Sequence, residues 1–240
     1  MAILIALAGL CFTMFANTDS DKRVCKELII SIKPSDRSFI AEKEIINCLN
    51  TNNLNPKNKL NKEVKLNKIR EKLEQLAVVK TAKCYFAKNG NLKIEIIQRQ
   101  PFYKIISNSS YCVDTERNII ITSSVLPVYI PIVSGTLTKS FATTELFDFV
   151  KFVEKDDFLS KLVAQIYVTT RQEIELVPTI GNQIIKIGKI KKIDGKYDFE
   201  AKLSRLKTFY TKRVLNKMGW DTYSTIDLRF DKQVVCKRAD

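Results

Sequence analysis

The sequence predicts an α+β fold in two parts: a small unit in the order strand, helix, helix, hairpin, and a larger, mostly antiparallel β-domain with supporting helices. Three observations predict it. In "NKEVKLNKIREKLEQLAVV" the residues Leu66, Ile69, Leu73 and Leu76 recur at helical spacing and leave one apolar stripe that needs a sheet to lie on. Asn89-Gly90 stands between two runs of alternating apolar residues, the strongest short-range hairpin signal. From Pro101 onward, short β-rich runs follow one another, interrupted by two helical patterns.

Residues 1–16, "MAILIALAGLCFTMFA", carry no charge and lead into the polar "NTDSDKR". A spanning helix uses about 20 apolar residues. A signal peptide is the rival, but the basic n-region and the small-residue cleavage site are both missing. The reading that reconciles these facts is a single transmembrane helix entered partway, its cytoplasmic lead truncated, followed by a juxtamembrane linker at 17–23. Lys22, Arg23 and Lys26 follow the apolar run while no Lys or Arg precedes it. Taken alone, the positive-inside rule therefore puts the bulk of the chain in the cytoplasm.

The first unit is expected over 24–101. Leu28, Ile30 and Ile32 alternate in a half-buried strand that Pro34 ends. Ser38 is a candidate N-cap for a helix bearing Ile40, Ile45 and Leu49, which dissolves into an Asn-rich turn. The Leu66–Leu76 stripe is the second helix. Val79, Ala82 or Cys84, and Phe86 lead into Asn89-Gly90, and Leu92, Ile94 and Ile96 return before Pro101 closes the unit.

The second unit is expected over 102–238. Its strands read "FYKIIS", "SYCVD", "NIIITS", "LPVYIPIVSG", "VAQIYVTT", "EIELVPTI" and "IIKIGKI". One helix is expected in "TTELFDFVKFVEKDDFLSKL", with Thr144 placed to cap it and Leu146, Phe149, Phe152 and Val153 as its apolar face. A longer one, 197–217, carries Phe199, Leu203, Leu206, Tyr210 and Val214, with Gly219 as the residue after its end. The chain closes with "TIDLRFDKQVVCKRAD", where Ile226, Leu228 and Phe230 alternate with charged residues and Val234, Val235 and Cys236 resume β character. A last strand at a chain terminus can leave one edge unpaired, and unpaired edges recruit other strands.

Composition narrows the chemistry. The net charge of +14 is regional: residues 55–104 carry thirteen Lys/Arg against four Glu, and 182–217 carry eleven against three acids. A polyanion-binding module is one reading of that charge, although no zinc-finger, ribonucleoprotein or aromatic-basic pattern accompanies it. Histidine is absent, which excludes a Ser-His-Asp triad, a Cys-His pair and His-containing metal sites. Cys11, Cys25, Cys48, Cys84, Cys112 and Cys236 lie far apart with no CxxC, so no metal site and no obligatory disulfide framework is expected. No phosphate loop, cofactor fingerprint or acid pair appears, so no enzyme and no cofactor is expected.

The strand-helix-helix-hairpin unit resembles a POTRA domain. "LNKIREKLEQLAVVKTAKCYFAKNGNLKIEIIQRQP" resembles the helix, V-K-x-A step, hairpin and Pro-terminated strand of the POTRA module in the bacterial division protein family FtsQ (DivIB). "YCVDTERNII" followed by "LPVYIPIVSG" resembles that family's V-D-x-x-G and L-P-x-I-x-G segment, and "TIDLRFDKQVVCKR" its closing V-D-L-R-Y-D hairpin. The resemblance covers residues 1–238. It implies a bitopic inner-membrane protein, bulk in the periplasm and concentrated at the septum, that binds FtsB/DivIC-like and FtsL-like partners without catalysis. It implies that the partner is held against the last strand by β-augmentation.

Carried over by position, the implied partner-binding residues are Phe230, Lys232, Val234, Val235, Cys236 and Arg238, with Val234, Val235 and Cys236 forming the edge strand. A proline at Val235 is expected to remove an edge donor. Two positions depart from the family pattern. Gln233 stands where a turn Gly is frequent, and Arg238 where some relatives carry an aromatic residue. POTRA modules also precede outer-membrane barrels, so an envelope assembly or transport factor is a further reading. A barrel, however, needs at least about eight strands of about ten residues, and no such run follows residue 101.

Overall fold

The computed structural model describes residues 22–33, 40–121, 129–212 and 219–239. Contacts divide the chain between Arg99 and Gln100 into two compact units. The first runs β1 (Leu28–Lys33), α1 (Glu42–Thr51), α2 (Leu66–Glu74), β2 (Val79–Phe86) and β3 (Leu92–Gln98). β3 is the central strand, parallel to β1 and antiparallel to β2. Its alternate residues Leu92, Ile94 and Ile96 are fully buried, as are Ile45 and Leu49 of α1 and Ile69 and Leu73 of α2. The outer members of the α2 stripe, Leu66 and Leu76, are only half-buried. The β2–β3 turn closes where Ala87 N–H donates to the Asn91 carbonyl at 2.9 Å and Gly90 takes φ +87°, a conformation Gly adopts without strain. α1 starts after Ala41 without a side-chain cap. Ser38 lies outside the described residues.

The second unit runs β4 (Pro101–Ile106), β5 (Ser110–Asp114), β6 (Ile119–Ile120), β7 (Ile132–Gly135), α3 (Lys139–Thr143), α4 (Glu145–Lys155), α5 (Asp157–Leu162), β8 (Val163–Val168), β9 (Ile174–Pro178), β10 (Ile184–Gly188), β11 (Lys192–Ile193), β12 (Lys196–Tyr197), α6 (Asp198–Phe209), β13 (Tyr223–Asp227) and β14 (Val235–Arg238). Nine strands form one sheet in the order β14-β13-β10-β9-β8-β7-β4-β5-β6. The sheet is more mixed than its sequence suggests, because β4/β7, β7/β8 and β10/β13 pair in parallel. Parallel neighbours need crossover connections. α3 to α5 supply one between β7 and β8, and α6 lies in another between β10 and β13.

These helices pack on one sheet face. Leu146, Phe149, Val150 and Val153 of α4 and Phe199, Leu203 and Leu206 of α6 share a core with Val133, Ile166, Leu176, Ile185 and Ile226. Phe199 is its aromatic hinge, edge-on to Phe149 at 5.1 Å and stacked on Tyr197 at 4.8 Å. Alternate residues, such as Tyr167, Val177 and Ile184, point to the opposite, solvated side and are about 40% exposed.

The helix expected across 145–162 is two helices. Asp156 breaks it, its Oδ1 accepting from the N–H groups of Phe158 and Leu159 at 2.9 and 3.0 Å as the N-cap of α5. Thr144 does not cap: its hydroxyl donates back to the Ser140 carbonyl at 2.7 Å. α3 is an additional helix, capped by Thr138. The expected 197–217 helix is regular over Asp198–Phe209, and Val214 lies outside the described residues. β11 and β12 form a separate small hairpin around Asp194-Gly195, both at positive φ. Among the described residues no helix is long and apolar enough to cross a membrane. Residues 1–16 lie outside that set.

Asp156 also accepts from Lys207 at 2.8 Å, and that bond, with the Leu159 and Phe158 N–H bonds, holds its carboxyl below the ordinary 3.8. A depressed carboxyl contributes stability above its unfolded pKa and loses it as pH falls through the folded one. Asp156→Ala is therefore expected to cost about 1 kcal/mol at neutral pH. Chemical denaturation of both proteins should show the difference constant near neutrality and shrinking as pH falls below the ordinary 3.8.

Candidate partner-binding edge

The terminal hairpin is fixed by three local devices. Asp227, at the end of β13, is gripped by Arg229: Nε lies 3.0 Å from Oδ1, Nη2 lies 2.6 Å from Oδ2, and the Arg229 N–H donates to Oδ1 at 3.0 Å. Burial pushes this carboxyl up, but the Arg229 bonds outweigh burial and hold it below the usual carboxylate value. Arg205 of α6 donates from Nη2 to the carbonyls of Leu228 and Phe230, both at 3.3 Å, tying the turn to the helix layer. The turn then reverses at Lys232, whose φ is +55°. The left-handed position is therefore Lys232, and Gln233, next to it, needs no glycine.

The ladder decides which main-chain groups reach the edge. Leu228 N–H donates to the Lys186 carbonyl of β10 at 2.9 Å, so Leu228 and Ile226 face β10, and Thr225 and Asp227 face β14. Their partners on β14 are Lys237 and Val235, and Ala239 N–H continues the series to the Thr222 carbonyl at 3.1 Å. Val235 and Lys237 thus spend their N–H and carbonyl groups on β13. Cys236 points both of its groups, and Arg238 its N–H, away from it, toward the side of β14 that has no strand neighbour among the described residues; the Arg238 carbonyl accepts from the Ser224 hydroxyl at 3.1 Å. The expectation that proline at Val235 removes an edge donor is overturned: it would break the internal ladder, and the edge donors belong to Cys236 and Arg238.

Side chains follow the same alternation. Val234 and Cys236 pack against the helix-covered core, and Val234 precedes the strand rather than belonging to it. Burial pushes the Cys236 thiol up, so it stays neutral. Val235, 43% exposed, and Lys237 lie on the helix-free side. Phe230 is 50% exposed beside a groove of about 510 Å³, lined also by Ile193, Lys196, Tyr197, Ala201 and Arg205. The groove and the Arg205 clamp were not anticipated from sequence. The Asp194-Gly195 dipeptide was the one signal available for the hairpin wall.

Other strand edges differ. The outer side of β2 in the first unit is stoppered at Ala82, whose N–H donates to the Glu74 carboxylate at 3.1 Å. β6, at the far end of the large sheet, is two residues long. A side-chain cap and a very short strand are both known ways of blunting an edge. Among the described residues no group of three or more His, Cys, Asp or Glu is placed to hold a metal ion. The five described cysteines are free thiols.

Two family models match the chain. One, described as FtsQ/DivIB, C-terminal related, spans residues 100–237, and a POTRA-like domain spans 23–97. Together they define a division-protein architecture in which a POTRA-like module leads into the large sheet domain. The chain belongs to the FtsQ/DivIB-related family, a family of non-enzymatic division scaffolds. No curated protein matches the chain.

Left-handed backbone costs a non-glycine residue ~1–2 kcal/mol, and glycine's extra unfolded-state entropy offsets ~0.5–1 of that. Lys232→Gly is therefore expected to raise stability by roughly 0.5–1 kcal/mol, read as a higher denaturation midpoint with an unchanged slope.

Proposed function

We propose that this protein is a membrane-anchored, non-catalytic scaffold that captures an FtsB/DivIC-like partner, with its FtsL-like companion, by adding a strand to β14, and thereby supports septal wall synthesis. The observation that carries the proposal is the outward-facing N–H groups of Cys236 and Arg238, with the Cys236 carbonyl between them, on a side of β14 that has no strand neighbour among the described residues. β-augmentation draws its affinity from such groups and its selectivity from side chains on alternate positions. Val235 and Lys237 then read one face of the added strand. Val234 and Cys236 are mostly committed to packing, and Phe230 and Lys232 lie where the added strand would reach the turn. Residues 1–16 supply the single membrane helix, with both folded units in the periplasm.

Paired proline substitutions test this reading. Cys236→Pro and Arg238→Pro remove outward donors; each is expected to weaken binding of a labelled cognate FtsB/DivIC-like fragment about tenfold, the loss of roughly one good hydrogen bond. The thermal midpoint of Arg238→Pro should stay close to that of the parent, and that of Cys236→Pro close to that of Cys236→Ser, which alters the same core contact but keeps the N–H. Val235→Pro is expected to do the reverse, lowering the midpoint by breaking the β13–β14 ladder. Unaltered affinity in both Cys236→Pro and Arg238→Pro would reject the edge as the binding site.

A further inference from the structure

We propose that the first unit carries a basic collar, at the end where the chain enters it, that seats on anionic phospholipid headgroups of the bilayer. The proposal rests on the reading of residues 1–16 as a membrane anchor. Three separate segments meet at that end through main-chain bonds. Val24 bridges Leu60, Cys25 N–H donates to the Lys59 carbonyl at 2.9 Å, and Asn58 N–H donates to the Cys25 carbonyl at 2.8 Å. Asn61 N–H donates to the Arg23 carbonyl at 2.9 Å, and the Arg23 guanidinium donates to the Lys88 carbonyl in the β2–β3 turn.

The charge gathered there is one-sided. Residues 22–27 bring Lys22, Arg23 and Lys26, 57–62 bring Lys57, Lys59 and Lys62, and the turn brings Lys88, all of them exposed; Glu27 is the one acid. By contrast, the helical layer of the same unit, residues 40–54 and 63–75, has equal numbers of basic and acidic residues. The strands of the unit and the residue after β3 add Lys33, Lys80, Lys83, Lys93 and Arg99 against Glu95, so the collar is the part of the basic excess that lies beside the entering chain. Main-chain bonds fix the three segments together, so little ordering cost remains when they meet a charged surface.

Reach and chemistry select the bilayer as occupant. Six chain steps separate Ala16 from Lys22, at most roughly 20 Å, a tether short enough for the collar to come within one Debye length, about 8 Å at physiological salt, of the leaflet. Basic residues held that close to an anionic leaflet are each attracted to it. The collar segments contain no aromatic residue on which a base could stack, which disfavours single-stranded nucleic acid. Lys22, Arg23 and Lys26 then act as parts of a folded lipid-facing surface, which removes their conflict with a periplasmic bulk.

The test uses the full chain reconstituted in nanodiscs of phosphatidylcholine alone or mixed with phosphatidylglycerol, with amine-reactive labelling read residue by residue. Labelling of Lys57, Lys59, Lys62 and Lys88 is expected to slow about fivefold in the anionic discs, matching the attraction expected of a basic residue near such a leaflet. Lys161 and Lys189 of the second unit should be unchanged, and high salt should abolish the difference. Combined Lys57→Glu, Lys59→Glu and Lys62→Glu should abolish the slowing at Lys88 with the second-unit rates intact. Equal collar labelling in both discs overturns the collar, as does protection by added duplex DNA without protection by anionic lipid. A chain that does not enter discs at all overturns the anchor reading and the collar with it.

Discussion

A β-strand presents its main-chain donors and acceptors alternately to its two sides, so the last strand of a sheet satisfies only one set. The proposed partner edge of the second unit depends on which set that is. The direction is fixed upstream, where Leu228 N–H meets the Lys186 carbonyl at 2.9 Å and commits one face of β13 to β10. β14 can then pair only through Val235 and Lys237. The Asp227–Arg229 grip and the Arg205 clamp hold the start of the intervening turn in place, which resists a one-residue slip that would send Cys236 out of the core.

The magnitudes explain why an edge alone is an incomplete interface. Each main-chain bond nets ~0.5–1.5 kcal/mol, so a short added strand gains only a few kcal/mol, well below the ~8 that a micromolar complex requires. Burial of side chains beside Val235 and Phe230 supplies more. Under the proposed function, confinement of both partners to one membrane would raise their effective concentration without any new contact. In the proposed function, anchor, basic collar and open edge would therefore act on the same quantity, the fraction of time that the two chains spend aligned. The Glu74 stopper on β2 limits competition from a strand edge in the first unit.

Most of the first unit was legible because each of its signals is local: alternation in β1, the Ile69/Leu73 stripe and the Asn89-Gly90 turn. In the second unit the strands were legible but their partners were not. Alternation says that Ile184 and Ile185 belong to a strand, yet it carries no information that β10 pairs in parallel with β13, a contact made across α6. The break at Asp156 was missed because Leu159 and Leu162 keep a helical spacing beyond it, and a cap inside an apolar pattern looks like a surface acid. At the site, the six named residues came from family resemblance, whereas the parity that separates Cys236 and Arg238 from Val235 and Lys237 depends on a hydrogen bond to another strand. Arg205 lies 23 residues before Leu228 and had no pattern to announce it.

Amide hydrogen exchange of β14, with and without a cognate FtsB/DivIC-like fragment, measures the outward-facing donors directly. In the free protein, Val235 and Lys237 amides should exchange slowly and those of Cys236 and Arg238 quickly. Addition of the fragment should slow Cys236 and Arg238 and leave the other two nearly unchanged. Protection confined to Val235 and Lys237, or no change anywhere in β14 while the fragment binds, would contradict strand addition at this edge.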